Sequence, residues 1–275
     1  MQFLRPWLAL FTLLVALLLS PPLRPHISHK MASIASQVVL HPVVSQSLKV
    51  AGTTLGRDKL YRAVQYFSRF LAWLLLSKGN KAEAARFNAL KSHLALGRKL
   101  MRLGKPVEHL QSALRAIQGS AEAGEQITTI ARQICYFGYL TYDAIVWANA
   151  IKFLNLKPST AAKVNKISNR FWLSGILFSI VHALLKTGRL ATEAKKLQGS
   201  AWTEKGLEVE RDTKLQAIAS QRASTRQQFI IDILDVWIPA TNVGLVHFND
   251  GVLGIFGFIT SLIAFRSQWK AVGKK

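Results

Sequence analysis

The residues that come closest to a catalytic arrangement are two carboxylates near the carboxyl end of the chain. Asp232 and Asp235 lie three residues apart, a spacing that places both on one face of a helix, where they could act as a general acid and a general base. Acidic residues on a solvated or interfacial helix face give the same pattern. We favour this second interpretation, so the pair does not predict an active site.

The other reactive side chains show no catalytic or metal-binding pattern. The sequence contains no phosphate-binding loop, nucleophile elbow or paired-histidine zinc motif. Its seven histidines, at positions 26, 29, 41, 93, 109, 182 and 247, lack the spacing of metal ligands. Cys135 is the single cysteine, which excludes an intrachain disulfide and a multi-cysteine metal site. The sequence therefore predicts a protein that is not an enzyme and has no metal or cofactor.

Charge and hydropathy indicate a membrane surface as the partner. The 275 residues include 36 Lys and Arg against 14 Asp and Glu, for a net charge of +22, which attracts nucleic acid or anionic lipid. Half of the residues are hydrophobic and the mean hydropathy is +0.19. Because basic helices alternate with long uncharged stretches, we expect anionic membrane lipids as partners and no nucleic acid.

The elements that position these charges begin with a basic amphipathic helical region, residues 31–130. Leu60, Val64 and Phe67 recur at helical spacing, and a helix stop is expected at Lys78-Gly79-Asn80. Residues 57–115 carry 13 Lys and Arg against three acids. Such a one-sided charge is unusual for the mixed surface of a soluble bundle.

Residues 81–104 predict a helix that lies in the headgroup plane, since an apolar stripe is flanked by cations on a helical wheel. The predicted lipid-inserting side chains are Phe87, Leu90, Leu94 and Met101, and the predicted lipid-phosphate contacts are Lys91, Arg98 and Arg102. The alternative is a soluble bundle with this stripe as its core and the cations in water. The excess of cations favours insertion over that alternative.

Three longer segments follow the basic region. Residues 131–186 form a hydrophobic helical region, in which 134–153 carries a costly mid-segment Asp143 and 171–185 is uncharged but short for a span. Residues 187–228 are expected to be a polar linker. Residues 229–275 are predicted to be a carboxyl-terminal membrane anchor followed by a basic tail, whose charges favour a cytosolic location.

Glycines recur at every third position of the predicted anchor. Gly251, Gly254 and Gly257 share one helix side and would allow another helix to approach closely, which is a candidate surface for self-association. Loose packing in a flexible glycine-rich stretch is the alternative, and the sequence does not separate the two.

Three motifs resemble the peroxin-eleven family from about residue 31 to residue 275. They are residues 56–60 (Gly-Arg-Asp-Lys-Leu) with 65–66 (Gln-Tyr) and 69–71 (Arg-Phe-Leu), residues 96–106, and residues 250–251 (Asp-Gly) leading into two further glycines. The resemblance implies a peroxisomal membrane protein that inserts an amphipathic helix, self-associates, elongates the membrane and helps to recruit dynamin-type fission machinery.

Residues 1–30 lie outside this resemblance. Residues 7–19 form an apolar run of signal-peptide length, but the expected cleavage pattern is poor because prolines follow at once. Met31 opens a polar stretch that would serve as a start. The segment is predicted to be a hydrophobic extension that is either signal-like or absent from the working protein.

The predicted fold is an all-α membrane protein with amphipathic amino-terminal helices and one to three hydrophobic helices. The predicted function is remodelling and elongation of the peroxisomal membrane during fission, with both termini in the cytosol. The alternative is a peroxisomal membrane channel or carrier for small solutes, in which Asp143 or Asp232 lines a polar path.

Overall fold

The computed structural model describes residues 36–198 and 205–273, and the amino-terminal extension predicted for residues 1–30 lies outside them. This part of the chain is helical and contains no strand, which confirms the predicted fold class. The principal helices are α1 Pro42–Gly52, α2 Thr54–Ser77, α3 Lys81–Leu100, α4 Lys105–Gln118, α5 Ala123–Ala150, α6 Pro158–Leu197, α7 Lys205–Asp235, α8 Trp237–Val243 and α9 Asp250–Gly273.

The residues between α2 and α3 are of types that end one helix and begin the next. The predicted stop after α2 is confirmed, because Gly79 takes a positive φ of 79° that a side chain would strain. Asn80 then begins α3, and its side-chain oxygen accepts a hydrogen bond from the Glu83 backbone N–H at 3.2 Å. This two-sided signal folds α2 and α3 into an antiparallel hairpin.

Six of the helices contact one another in a closed ring. In order around the ring they are α2, α3, α5, α6, α7 and α9, and α9 returns to contact α2. Helix α4 packs on the outside of α5, α8 packs mainly on α6, and α1 lies against α2 and α9. The ring therefore has an interior, and side chains from all six helices line it.

The interior of this bundle is unusually polar. The buried side chains of the described residues include about as many polar or charged groups as hydrophobic ones. The outer faces of three ring helices, by contrast, expose apolar rows. These rows are Leu60, Val64 and Phe67 on α2, Leu177, Val181 and Leu184 on α6, and Ile255, Ile259 and Leu262 on α9. Apolar side chains facing outward around a polar interior are expected of a protein surrounded by lipid.

Within the residues that the structure describes, two helices are long and apolar enough to cross a membrane, Pro158–Leu197 and Asp250–Gly273. They contain the two uncharged segments that the sequence singled out, 171–185 and the glycine-containing anchor. Residues 134–153, the third candidate, lie mainly within α5, which does not meet the same criteria of length and hydropathy. Its Asp143 is buried against cations of α3.

The region expected to be a polar linker, residues 187–228, takes a different form. Its described residues belong to the carboxyl-terminal part of α6 and to α7, and the two helices pack antiparallel. Leu190, Ala194 and Ile218 form a small buried cluster between them. Leu197 and Leu215 pack against this cluster, and the mixed charge of the segment concealed the packing in the sequence.

The glycine row of α9 packs within the chain. A side-chain carbon at Gly251, Gly254 or Gly257 would lie less than 3.0 Å from atoms of α2, at Trp73, Phe70 and Tyr66 respectively. The close approach expected of such a row is therefore made between α9 and α2 of one molecule. Self-association through the same glycines stays a prediction, and the row is already occupied in this structure.

We expect Gly254→Ala to destabilise the protein by about 1–3 kcal/mol, as overpacked sites do. The added carbon would lie 2.7 Å from the Phe70 backbone nitrogen, and main-chain atoms cannot rotate aside. Thermal unfolding in detergent micelles, followed by circular dichroism, would measure the loss. Gly97→Ala is the matched control, because nothing lies within 4 Å of its added carbon and it removes a helix-destabilising glycine. Equal stability of Gly254→Ala and the wild type would contradict the packing.

Candidate functional site

A charged cavity of about 810 Å³ lies inside the helix ring. Its lining includes cations of α2 and α3 and carboxylates of α2, α5 and α7. The volume is in the range of small-molecule sites, although such sites are mostly apolar and this one is not. The arrangement of its charges therefore decides what the cavity can hold.

One deeply buried ion pair of the cavity is part of a contact that joins three helices. Arg62 of α2 donates hydrogen bonds of 2.8 Å to both carboxylate oxygens of Asp235 on α7. It also donates to the Thr260 hydroxyl of α9 at 3.0 Å, and that hydroxyl donates to Asp235 at 2.7 Å. Burial disfavours a charged guanidinium, but the attraction of Asp235 dominates and raises the pKa of Arg62. The triangle fixes the position of α2, α7 and α9 in the ring.

A second group of ion pairs joins α3 to its neighbours. Arg98 donates to Asp58 of α2 at 2.9 Å and to the Gln65 side-chain oxygen at 2.7 Å. Arg102 donates to Asp143 of α5 at 3.1 Å, and Lys99 pairs with the same carboxylate. Although burial alone would raise the pKa of Asp58, the neighbouring cations, Arg98 first, hold it below its usual value.

Asp232, the other member of the carboxylate pair singled out in the sequence, forms no ion pair among the described residues, although Arg132 donates to its hydrogen-bond partner Ser179 at 3.4 Å. It is 2% exposed, accepts hydrogen bonds from Ser179 at 2.6 Å and from Gln228 at 2.8 Å, and lines the cavity. Burial raises its pKa to about 6. Asp232 and Asp235 are thus neither solvated nor interfacial, and only Asp235 has a charged partner.

The cations predicted to bind lipid phosphates have carboxylate partners inside the chain. Besides the pairs of Arg98 and Arg102, the Lys91 ammonium lies 3.6 Å from Asp250. Arg98 is 7% exposed, so its guanidinium faces the ring interior and not the surrounding medium. The helical wheel shows which residues flank the apolar stripe but cannot show which side of the helix contacts other helices.

The predicted lipid-inserting side chains lie in mixed environments. Leu90 is exposed, whereas Phe87, Leu94 and Met101 are half-buried in a helix that packs against α2. The structure therefore leaves only part of the α3 stripe facing outward.

A more continuous outward stripe lies on α4, which the sequence reading did not single out. Its apolar residues are Val107, Leu110, Leu114 and Ile117, with exposed fractions between 44% and 60%. Their spacing of three, four and three residues is the signature of one helix face and was readable in the sequence. An adjoining side of α4, which includes the buried Ala113, packs on α5.

Comparison with known proteins identifies the kind of protein that carries these features. The family model for peroxisomal biogenesis factor 11 (PEX11) matches residues 44–269, from α1 to α9. The chain belongs to the PEX11 family. This confirms the resemblance drawn from the sequence.

Curated relatives in the PEX11 family agree over nearly their whole lengths. The chain is 29% identical to peroxisomal membrane protein PMP30A of Candida boidinii, over 86% of this chain and 98% of the relative. It is 26% identical to peroxisomal membrane protein PMP27 of Saccharomyces cerevisiae, over 86% and 99%. It is 24% identical to peroxisomal biogenesis factor 11 of Schizosaccharomyces pombe, over 83% and 96%. No solved structure matches.

PEX11 proteins are peroxisomal membrane proteins involved in peroxisome biogenesis and proliferation. The family is that of a biogenesis factor and is not a known enzyme family. Within the described residues, no cluster of three or more His, Cys, Asp or Glu side chains could hold a metal ion. The cavity and the exposed stripe of α4 are therefore the two features of this PEX11 structure that function must be argued from.

For this PEX11 protein, we expect Arg62→Met to cost about 3–5 kcal/mol of stability, because it leaves Asp235 buried without a charged partner. Asp235→Leu should cost a similar amount of stability, because it leaves the Arg62 guanidinium buried without a carboxylate partner. The double variant Arg62→Met/Asp235→Leu should be more stable than the sum of the two losses predicts. Thermal unfolding in detergent micelles measures all three.

The control for this cycle is an exposed ion pair on α3. Arg86 and Glu83 pair at 2.7 Å with side-chain exposures of 67% and 41%, so Arg86→Met should cost no more than about 1 kcal/mol. Additive losses at Arg62 and Asp235, or a loss at Arg86 of the same size, would contradict the role given to the buried pair.

Proposed function

We propose that this protein remodels the peroxisomal membrane during proliferation by inserting an exposed amphipathic helix into one leaflet. The observation that carries the proposal is the apolar stripe of α4, which is exposed on a helix outside the ring. A helix with one apolar face enters the boundary between headgroups and acyl chains. Its volume there widens one leaflet relative to the other and favours curvature.

Several features of α4 fit an interfacial position. The helix is 14 residues long, which is too short to span about 30 Å of hydrocarbon. Arg115 is exposed, lies about 120° from the centre of the apolar stripe on the wheel and has no carboxylate partner among the described residues. It is therefore available to a lipid phosphate in a way that Arg98 is not.

Helix α3 contributes to the same surface in a smaller way. Leu90 is exposed and is the member of the predicted inserting set most accessible to lipid, while Phe87, Leu94 and Met101 would enter lipid only if α3 separated from α2. Lys91 and Arg102 would become available to phosphates by the same movement. We therefore expect α4 to make the main contribution to insertion and α3 a smaller one.

The further parts of the proposal come from the family resemblance. They are self-association, recruitment of dynamin-type fission machinery and a cytosolic location of both termini. The basic residues that follow the apolar stretch of α9, Arg266 and Lys270, support a cytosolic carboxyl end. Insertion into the cytosolic leaflet would widen that leaflet, and the membrane would then bend outward, toward the cytosol.

We expect Leu110→Glu/Leu114→Glu to abolish tubulation of anionic liposomes by the purified full-length protein. Two carboxylates in the middle of the stripe prevent its entry into the acyl region and repel anionic headgroups. Electron microscopy of liposomes after reconstitution, scored for tubule formation, checks the outcome.

The matched comparison is Leu90→Glu, which tests α3 by the same chemistry. We expect it to reduce tubulation by less than the α4 variant does. Gln111→Glu, on the exposed polar side of α4, controls for added negative charge and should leave tubulation unchanged. Wild-type tubulation by the folded α4 variant would overturn the proposal for α4, and loss of tubulation with Leu90→Glu alone would return the wedge to α3.

A second candidate function is a channel or carrier for small solutes, and the helix ring favours it. Six helices surround a polar cavity that includes Asp143 and Asp232, the two acids expected to line such a path. A polar interior within a membrane bundle is expensive unless it serves a purpose, since its groups must all find partners.

For this second function we expect Ala95→Trp to reduce solute flux through proteoliposomes at least tenfold. Ala95 lines the cavity from α3, so an indole there would fill part of it. Ala85→Trp on the exposed side of α3 should leave flux unchanged. Flux that survives Leu110→Glu/Leu114→Glu separates transport from remodelling, and a wild-type protein without flux excludes the second function.

A further inference from the structure

One end of the cavity holds more cations than carboxylates. Where α2, α3 and α5 meet, four basic side chains share two acids. The cations are Lys59, Arg98, Lys99 and Arg102, and the carboxylates are Asp58 and Asp143. Each acid is thus shared by two cations, and both are nearly buried, with side-chain exposures of 10% and 6%. A surplus of positive charge inside a protein is costly unless a further anion compensates it.

The surplus lies on the accessible side of this cluster. The side chains of Lys59, Lys99 and Arg102 are 27%, 22% and 19% exposed, more than the two carboxylates that they share. All of these side chains line the cavity. An incoming anion would therefore meet the ammonium and guanidinium groups first.

Lys59 is the cation with the least compensation. Its ammonium lies 3.8 Å from the nearest oxygen of Asp58, beyond hydrogen-bonding distance, and it donates no hydrogen bond among the described residues. Burial, partly offset by Asp58 and reinforced by Arg62 and Arg98, lowers the pKa of Lys59 to about 8. Three N–H donors of this side chain are thus available within the cavity.

We propose that this end of the cavity is a binding site for a compact, doubly charged anion of the phosphate type. The site is formed by Lys59, Lys99 and Arg102, with Arg98 behind them. The inference is independent of membrane insertion by α4, and it extends the second candidate function by naming a ligand class.

The chemistry of the donors selects this class of ligand. A guanidinium presents a planar pair of N–H groups that matches two oxygens of a phosphate, and an ammonium supplies a mobile point charge. Arg102 keeps its orientation through hydrogen bonds to Asp143 at 3.1 Å and to the Tyr139 hydroxyl at 3.1 Å. A double negative charge would balance the surplus of the cluster, whereas chloride would balance only half of it.

The test uses the full-length protein in neutral detergent micelles, titrated with inorganic phosphate at constant ionic strength. Phosphate should bind in calorimetry and raise the midpoint of thermal unfolding, while chloride at the same ionic strength should not. Lys59→Gln should weaken phosphate binding at least tenfold, because it removes the cation with the least compensation and breaks no hydrogen bond of the fold.

Two further variants separate a site from general charge. Lys81→Gln removes an exposed cation outside the cavity and should leave binding unchanged. Asp58→Asn increases the positive surplus while keeping an oxygen for Arg98, so it should tighten binding severalfold, which a purely structural role of Asp58 would not do. Equal weakening by Lys59→Gln and Lys81→Gln, or weaker binding by Asp58→Asn, would overturn the proposal.

The source of the phosphate group is distinguished by a second arm in nanodiscs. The ligand is a lipid headgroup if phosphatidic acid raises the midpoint of thermal unfolding relative to phosphatidylcholine, if Lys59→Gln removes this effect, and if free phosphate does not raise the midpoint. If free phosphate binds in phosphatidylcholine nanodiscs, the ligand is a soluble phosphate compound. Binding of neither, or binding of both that is indifferent to Lys59→Gln, would show that the cavity has no such site.

Discussion

The arrangement of the ring depends on pairing the charges that its helices carry inward. Arg62 must find a carboxylate, because a lone guanidinium at this depth is strongly disfavoured. Asp235 supplies it from α7, and Thr260 bridges the two from α9. A small shift of any of these helices would break a two-oxygen contact. Apolar packing alone would permit such shifts, so the ion pair supplies the register of the bundle.

The same constraint explains the outward apolar faces. With the polar side of α2 directed at the ring interior, its opposite side must carry Leu60, Val64 and Phe67 outward. In water such rows would aggregate, whereas in lipid they are the natural exterior. The glycine row of α9 then has a clear purpose within one molecule. It brings the α9 backbone close to α2, within reach of the Arg62 side chain.

The sequence predicted where helices end and which segments are apolar better than it predicted which face of each helix is directed toward the bundle interior. Glycine and asparagine chemistry after α2 defined a helix end, and uncharged runs marked α6 and α9. A helical wheel, however, shows only which residues share a face. Arg98 faces inward because Asp58 lies 40 positions away on the facing helix, and no local pattern contains that information. The stripe of α4 was readable in the sequence, but α3 carries five Lys and Arg against two on α4, so the excess of cations favoured α3 as the interfacial helix.

The exposed stripe and the cavity obey opposite requirements and so lie on different faces: the stripe of α4 faces outward, while Lys105 and His109 of the same helix line the cavity. Insertion needs apolar side chains free of intramolecular partners, as Leu110 and Leu114 are on α4. Anion binding needs cations held by partners yet not fully neutralised, as are Lys99 on α3 and Arg102 just beyond its end. Residues 101–104 join α3 to α4, so the cations of the cavity and the outward apolar stripe are carried by successive elements of the chain.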